Sequence, residues 1–128
     1  EAVIHNAGVG YRELRRIQTE DGLSHVFAVN VLAPYVLTAL IEKPKRLVYL
    51  SSAMHRGANA SLDDIEWVQR RWQGAQAYAE SKHDVLLAFA VARRWPRRLA
   101  DRCAHDATRQ DRLLDICKRL SGVALASN

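Results

Sequence analysis

The sequence predicts an α/β fold in which helices pack on a parallel sheet, followed by a separate C-terminal helix. Two short apolar runs, Ala2–His5 and Arg46–Leu50, have the length and composition of buried parallel strands. Between them, apolar residues recur at helical spacing from Leu23 to Thr38. A strand, a helix and a second strand in this order form a right-handed crossover unit of a parallel sheet.

The composition is that of one globular domain. The chain has 128 residues, of which 48% are hydrophobic and 26% are charged. The longest apolar stretch, Val26–Ile41, is interrupted by polar residues and is too short for a membrane span. Two cysteines do not make a disulfide framework, and no basic-then-apolar leader opens the chain. We therefore expect a cytoplasmic protein with no membrane partner.

The net charge of +5 comes mostly from arginines, many of them in residues 93–102. A basic surface of this kind can bind nucleic acid. No nucleic-acid-binding motif accompanies it, so a solvated helix end and loop is the simpler interpretation, and we expect no nucleic-acid partner. The five histidines show no metal-ligand spacing, so we also expect no metal site.

Turn-forming residues set the element boundaries in the first half of the chain. The first strand ends at the loop Asn6–Gly10, whose glycines tolerate positive φ angles. Thr19 is the predicted N-cap of the crossover helix, because acidic residues follow it. Pro34 should kink that helix and free backbone groups near Asn30. The helix is predicted to end at Lys43–Lys45.

The second half of the chain contains a long excursion and two helices. Residues 53–75 are polar and are predicted to form a functional loop with a short helical piece at Leu62–Ile65. A strong helix is predicted over Gln76–Trp95, where a proline stops it. An amphipathic helix follows, roughly over Thr108–Leu120, with a Ser-Gly pair as its C-cap. The three tryptophans are most simply packing residues.

Tyr78 and Lys82 are the candidate acid/base pair, because residues four apart on a helix share one face. A phenol ordinarily ionises at about pH 10, and a neighbouring ammonium favours its ionised form. Such a pair can act as a general acid/base near neutral pH. By itself, this spacing is also common in helices that hold a core-edge tyrosine and a solvated lysine. Ser52 follows the second strand, where open parallel sheets place their ligand crevice and a hydroxyl can bond a substrate carbonyl.

An ordered set of motifs resembles the short-chain dehydrogenase/reductase family. His5-Asn6-Ala7-Gly8 is similar to the Asn-Asn-Ala-Gly motif of that family, with histidine replacing the first asparagine. Asn30 matches the asparagine of the family's catalytic tetrad, and Ser52, the second serine of Leu-Ser-Ser, matches its serine. Tyr78 and Lys82 match the acid/base and the lysine that also binds the nicotinamide ribose.

The resemblance implies a partial Rossmann-like fold, the central βαβα portion of such an enzyme. It also implies hydride transfer between a small-molecule alcohol or carbonyl and NAD or NADP, with a slight preference for NADP. Tyr78 would handle the hydroxyl proton, Ser52 would hold the oxygen, and Asn30 would support a water-linked relay through Lys82. The residues that would contact the cofactor are Asn6, Ala7, Gly8, Tyr78 and Lys82.

The long segment between Ser52 and Tyr78 is similar to that of the retinol-dehydrogenase-like subgroup. In that subgroup His55 is better interpreted as a loop feature than as a second base. Family members often pair through the helices that carry Asn30 and Tyr78, so a homo-oligomer is one option.

Two parts of the family's domain are missing from the sequence. No Gly-x-x-x-Gly-x-Gly turn, which would receive the cofactor pyrophosphate, occurs in the chain. No apolar strand with a Pro-Gly loop follows residue 96. We therefore interpret the chain as a single incomplete domain, with a central and catalytic segment at 1–96 and an aberrant basic linker and C-terminal helix at 97–128. Two strands leave apolar surface exposed.

Three interpretations of function stay open at this point. The first is an oxidoreductase of the resembled family. The second is a non-catalytic fragment or remnant that keeps the Tyr-Lys helix but binds no nucleotide. The third is a basic helical interaction module, which only the arginine cluster favours.

Overall fold

The computed structural model describes residues 1–59, 61–87 and 107–125. Within them, two parallel strands form the sheet, β1 (Ala2–His5) and β2 (Arg46–Tyr49). In the parallel register, Ala2 pairs with Arg46 and His5 pairs with Tyr49. Both predicted strands are confirmed, and the second ends one residue earlier than predicted. The α/β class is confirmed with them.

The crossover between the strands is a helix with a widened middle turn. It comprises α1 (His25–Phe27), a π-helical segment (Ala28–Leu32) and α2 (Ala33–Leu40). The amide that follows the π-helical segment donates to a carbonyl five residues back. Pro34 has no amide hydrogen to donate to the Asn30 carbonyl, and this missing bond favours the wide turn. The disturbance predicted near Asn30 is therefore confirmed.

The start of this helix differs from the prediction. Ser24 is the N-cap and the helix begins at His25, so the assignment of Thr19 as N-cap is wrong. Thr19 closes a separate turn: its carbonyl accepts from the Gly22 amide at 3.0 Å, and its hydroxyl accepts from the Leu23 amide at 3.1 Å. Gly22 has a φ of 84°, a conformation that favours glycine. The threonine hydroxyl thus stabilises a turn that precedes the helix.

The excursion after β2 is held by local hydrogen bonds. It opens with a 3₁₀ helix at Ala53–Gly57. The helical piece predicted at Leu62–Ile65 is instead part of a turn. The Asp64 carboxylate accepts the backbone amides of residues 68–70 at 2.8–3.1 Å. Because this carboxylate bonds amides that follow it, and Trp67 has a φ of 54°, the chain turns back where a helix would continue.

Two longer helices complete the described structure. Helix α3 spans Gly74–Leu87 and helix α4 spans Ala107–Ser121. Helix α3 begins two residues before its predicted start, and its predicted end lies outside the described residues. Helix α4 ends as predicted, because Gly122 has a φ of 70° and its amide donates to the Lys118 carbonyl at 2.9 Å. The predicted basic linker lies, up to residue 106, outside the described residues.

The main core lies where α4 packs against the crossover helix. Its buried side chains come from that helix, the excursion and α4: Phe27, Val31, Leu32, Tyr35, Leu62, Leu113, Leu114, Ile116 and Cys117. The Tyr35 hydroxyl donates to the Val123 carbonyl at 2.9 Å, which ties the chain after α4 to α2. Burial of apolar side chains is the main stabilising contribution here, and α4 supplies a large share of it.

One face of the sheet is uncovered by the described residues. Ile4 is 60% exposed and Val48 is 39% exposed, and the two are paired in register. Leu37 and Leu40 on α2 are also exposed. This apolar surface agrees with the expectation for a two-stranded sheet. Among the described residues, no helix has both the length and the apolar character needed to cross a membrane.

The sheet also carries a polar cluster that joins both strands to α2. The His5 ring stacks on the Tyr49 ring with 4.8 Å between centroids, and His5 Nε2 lies 3.1 Å from the Thr38 hydroxyl. The Thr38 hydroxyl also bonds the Tyr49 hydroxyl. Burial lowers the pKa of His5 and raises the pKa of Tyr49 to about 12. The fold therefore favours the neutral form of both rings.

We expect His5→Gln to make the fold less sensitive to acid. Because the pKa of His5 is lower in the folded state, the unfolded state binds more protons, and the free energy of unfolding falls as the pH drops below about 6.5. Thermal unfolding between about pH 7.5 and about pH 5.5 measures this effect. The midpoint should fall further in the wild type than in His5→Gln. Equal falls in the two proteins would contradict the assignment.

Candidate active site

Asn30 lies in the π-helical segment and is 1% exposed. Its Oδ1 accepts from the Val9 amide at 2.9 Å, and its Nδ2 donates to the Val9 carbonyl at 3.0 Å and to Ser81 Oγ at 2.9 Å. Val9 belongs to the loop after β1, and Ser81 belongs to α3. Both hydrogens and the oxygen of the amide are in use. The Asn30 side chain therefore joins the loop, the crossover helix and α3.

Lys82 is fixed against the carboxyl end of β2. Its side chain is 5% exposed, and its ammonium donates to the Leu50 carbonyl at 3.2 Å. The Ser51 hydroxyl donates to the Lys82 carbonyl at 2.8 Å. Burial lowers the pKa of Lys82. Two contacts from the same short stretch of chain thus hold both the backbone and the side-chain end of this residue.

The ring of Tyr78 is flanked by a cation and by a second ring. Lys82 Nζ lies 5.6 Å from the Tyr78 ring centroid. The Tyr11 ring lies 5.9 Å from the same centroid, at an interplanar angle of 57°. The phenol and the ammonium are therefore neighbours, as their spacing on α3 predicts.

Ser52 is the N-cap of the 3₁₀ helix that follows β2. Its hydroxyl accepts from the Met54 amide at 3.3 Å, and its carbonyl accepts a bond from the His55 ring. The 3₁₀ helix packs against α3, so Ser52 lies near the helix that carries Tyr78. The Ser52 hydroxyl bonds its own loop in this structure, and the His55 ring is likewise used locally.

Asn6, Ala7 and Gly8 form an exposed strip beside Lys82. A Cβ on Gly8 would lie 3.1 Å from Lys82 Nζ and 3.6 Å from Asn30 Oδ1. Glycine at this position therefore lets the loop approach the ammonium closely. An open strip at the carboxyl end of a strand, with an ammonium donor and a phenol beside it, could bind the hydroxyl groups of a ligand.

The excursion holds α3 through a partly buried ion pair. The Arg70 guanidinium makes two hydrogen bonds to the Glu80 carboxylate, which is 6% exposed, and lies 3.6 Å above the Trp67 ring. Trp67 Nε1 also donates to Glu80 at 3.1 Å. The rings of Trp67 and Trp72 meet edge to face, so the packing role predicted for these two is confirmed. The described residues contain no cluster of three or more metal-ligating side chains.

The structure brings Asn30, Tyr78, Lys82 and the Gly8 loop together, and it leaves Ser52 beside them. Sequence reasoning missed Ser81, whose hydroxyl accepts from Asn30 and donates to the Tyr78 carbonyl at 2.8 Å. A serine next to the lysine on the same helix was the available signal. Sequence reasoning also missed the backbone groups that bond Lys82 and Asn30, because a sequence does not show which backbone carbonyl or amide a side chain will bond.

Comparison with known proteins finds clear sequence relatives. An uncharacterized oxidoreductase of Emericella nidulans is 48% identical over 98 residues, which are 74% of this chain and 36% of that protein. The short-chain dehydrogenase chyC of Penicillium rubens is 44% identical over 99 residues, 74% of this chain and 38% of that protein. Human retinol dehydrogenase 13 is 33% identical over 93 residues, 68% of this chain and 28% of that protein.

A solved structure shares the fold. It is an uncharacterized protein from Mycobacterium paratuberculosis, which matches with a TM-score of 0.82 at 19% identity and covers 98% of this chain and 68% of that one. No protein-family model matches the chain. The parallel strands, the crossover helix and these sequence relatives show that the chain belongs to the short-chain dehydrogenase/reductase family. It spans little more than a third of the length of the first two relatives.

We expect Asn30→Ala to destabilise the fold strongly. The change removes three hydrogen bonds and leaves the amide and carbonyl of Val9 without partners, which should lower the free energy of unfolding by about 2–4 kcal/mol. Urea unfolding followed by circular dichroism measures the loss. The control is Asn6→Ala, an exposed residue in the same loop, for which we expect a change within about 0.5 kcal/mol. Similar losses in the two variants would contradict the role of Asn30.

Proposed function

We propose that this chain carries the acid/base apparatus of an NAD(P)-dependent oxidoreductase that interconverts an alcohol and a carbonyl. One observation carries the proposal: a buried ammonium, Lys82, lies beside the Tyr78 ring and beneath an exposed loop. The names of the relatives support the reaction class, since they are an oxidoreductase, a short-chain dehydrogenase and a retinol dehydrogenase. Because the chain matches only part of those proteins, the activity of the whole enzyme is part of the proposal.

The chain's own residues would divide the chemistry among them. The nicotinamide, when bound, supplies or accepts the hydride. Tyr78 gives its hydroxyl proton to the substrate oxygen during reduction and takes it back during oxidation. The Lys82 ammonium, which lies beside the Tyr78 ring, can donate to ribose hydroxyls. Ser52 would donate its hydroxyl hydrogen to the substrate oxygen while its oxygen accepts from the Met54 amide.

Asn30 would contribute differently from the other three residues. Its side-chain amide is fully engaged with Val9 and Ser81, so a relay water would bind another atom of the residue. The Asn30 carbonyl is the candidate, because Pro34 cannot donate to it. The side chain then positions the loop and α3, and the backbone completes the proton path towards Lys82.

A non-catalytic remnant is the second candidate function. It is favoured by one feature of the structure, since the Lys82 ammonium already donates to the Leu50 carbonyl. The two candidates differ in whether the chain binds a nicotinamide nucleotide at all. We favour the oxidoreductase because the ammonium, the phenol and the open glycine loop lie together.

Cofactor binding by the purified chain separates the two candidates. We expect NADPH fluorescence to increase on binding at millimolar concentrations, with NADH binding somewhat more weakly. Lys82→Ala should weaken binding because it removes the ammonium beside the Gly8 loop. Lys45→Ala, which removes an exposed lysine, is the matched control and should leave binding unchanged. No binding of either nucleotide at millimolar concentrations would favour the remnant.

Turnover tests the role of Tyr78 directly. We expect Tyr78→Phe to lower the rate of NADPH-dependent carbonyl reduction by about 10²- to 10⁴-fold, the range typical of general acid catalysis. Cofactor affinity should stay the same, because the ring remains beside Lys82. NADPH consumption followed by absorbance gives the rate, and fluorescence titration gives the affinity. An unchanged rate would refute the acid/base assignment.

A further inference from the structure

Tyr11 contacts the ring of Tyr78 although it belongs to none of the motifs that define the site. The two ring centroids are 5.9 Å apart, and the rings are tilted by 57°. Tyr11 is still 46% exposed, although the Arg12 guanidinium also lies over its ring at 4.9 Å. An aromatic surface beside the proposed proton donor is therefore open to a ligand.

The chain before Tyr11 is held by hydrogen bonds and close packing. Asn30 bonds both the amide and the carbonyl of Val9. Gly10 has a φ of 94°, and a Cβ there would lie 2.6 Å from Val26 Cγ2. A side chain at position 10 would meet both backbone strain and a clash, so the loop backbone packs closely on the crossover helix at this point.

The chain after Tyr11 is held just as closely. The Glu13 carbonyl accepts a hydrogen bond from Trp72 Nε1 at 2.9 Å. A Cβ on Gly74 would lie 2.3 Å from that same carbonyl oxygen, so the start of α3 packs directly on the backbone of Glu13. The turn that carries Tyr11 is thus attached at one end to the crossover helix and at the other to α3, the helix of Tyr78.

We propose that Tyr11 is a specificity-determining residue, which forms one wall of the substrate site and favours planar aromatic or conjugated carbonyl compounds. The inference rests on the proposed function, since it takes Tyr78 as the group that the substrate oxygen approaches. A ring whose centroid lies within 6 Å of the Tyr78 ring centroid can offer its π system to a flat substrate. A saturated substrate of the same size gains only ordinary apolar contact from it.

A matched pair of ketones tests this preference. Acetophenone and cyclohexyl methyl ketone carry the same acetyl group on a flat and on a saturated ring. Their binding to the purified chain is measured by titration of amide chemical shifts. We expect Tyr11→Leu to weaken acetophenone binding by about 2- to 10-fold, the range for loss of an aromatic pair, and to leave cyclohexyl methyl ketone unchanged. Tyr11→Phe should retain the preference. Leu14→Ala, which alters a nearby apolar residue that is 99% exposed, should leave both affinities unchanged.

Three results would overturn the proposal. They are equal weakening of both ketones by Tyr11→Leu, no weakening of either, and no binding of either ketone by the wild type. The NADPH titration distinguishes this failure from that of the proposed function. If NADPH fails to bind while acetophenone binding depends on Tyr11, the role of Tyr11 in the substrate site is supported and the oxidoreductase function proposed for this chain is contradicted.

Discussion

The Asn30 side chain supplies hydrogen bonds to both the amide and the carbonyl of Val9, at a point where the chain has left β1 and no described strand pairs with it. Backbone groups that are shielded from water without a partner cost about 1–3 kcal/mol each. The loop after β1 therefore depends on this amide. Asn30 lies in the widened turn of the crossover helix, which Pro34 favours because it has no amide hydrogen to donate. The hydrogen bond missing at Pro34 therefore affects the position of Asn30 and, through it, the conformation of the loop.

The side-chain amide of Asn30 also donates a hydrogen bond to Ser81 on α3, the helix that carries Tyr78 and Lys82. With α3 held on that side by Asn30 and on another by the Arg70–Glu80 ion pair, Lys82 lies beneath the Gly8 loop with its ammonium on the Leu50 carbonyl. Buried polar groups of this kind stabilise the fold only when each has its partner. The site is thus built from contacts between elements that are far apart in the sequence, while the acid/base pair itself is local to one helix turn.

Much of this could be predicted from local patterns. The apolar runs identified both strands, and Gly122 marked the end of α4, because these features follow from side-chain polarity and backbone freedom at single positions. Thr19 was assigned wrongly because a threonine suits a turn as well as an N-cap. Asp64 was placed in a helix because the sequence does not reveal which amides a carboxylate will accept. The contact of Tyr11 with the site depends on tertiary packing alone, which no local pattern encodes.

Hydrogen exchange at the Val9 amide tests the central claim, that Asn30 locks this loop to α3. The bond from this amide to Asn30 Oδ1 should break only when the loop separates from the Asn30 side chain, which is itself bonded to Ser81 on α3. We predict that the Val9 amide exchanges with a protection factor close to that of the amides in the middle of α3, and that Ser81→Ala lowers it. Exchange as fast as that of the exposed Ala7 amide would contradict the account.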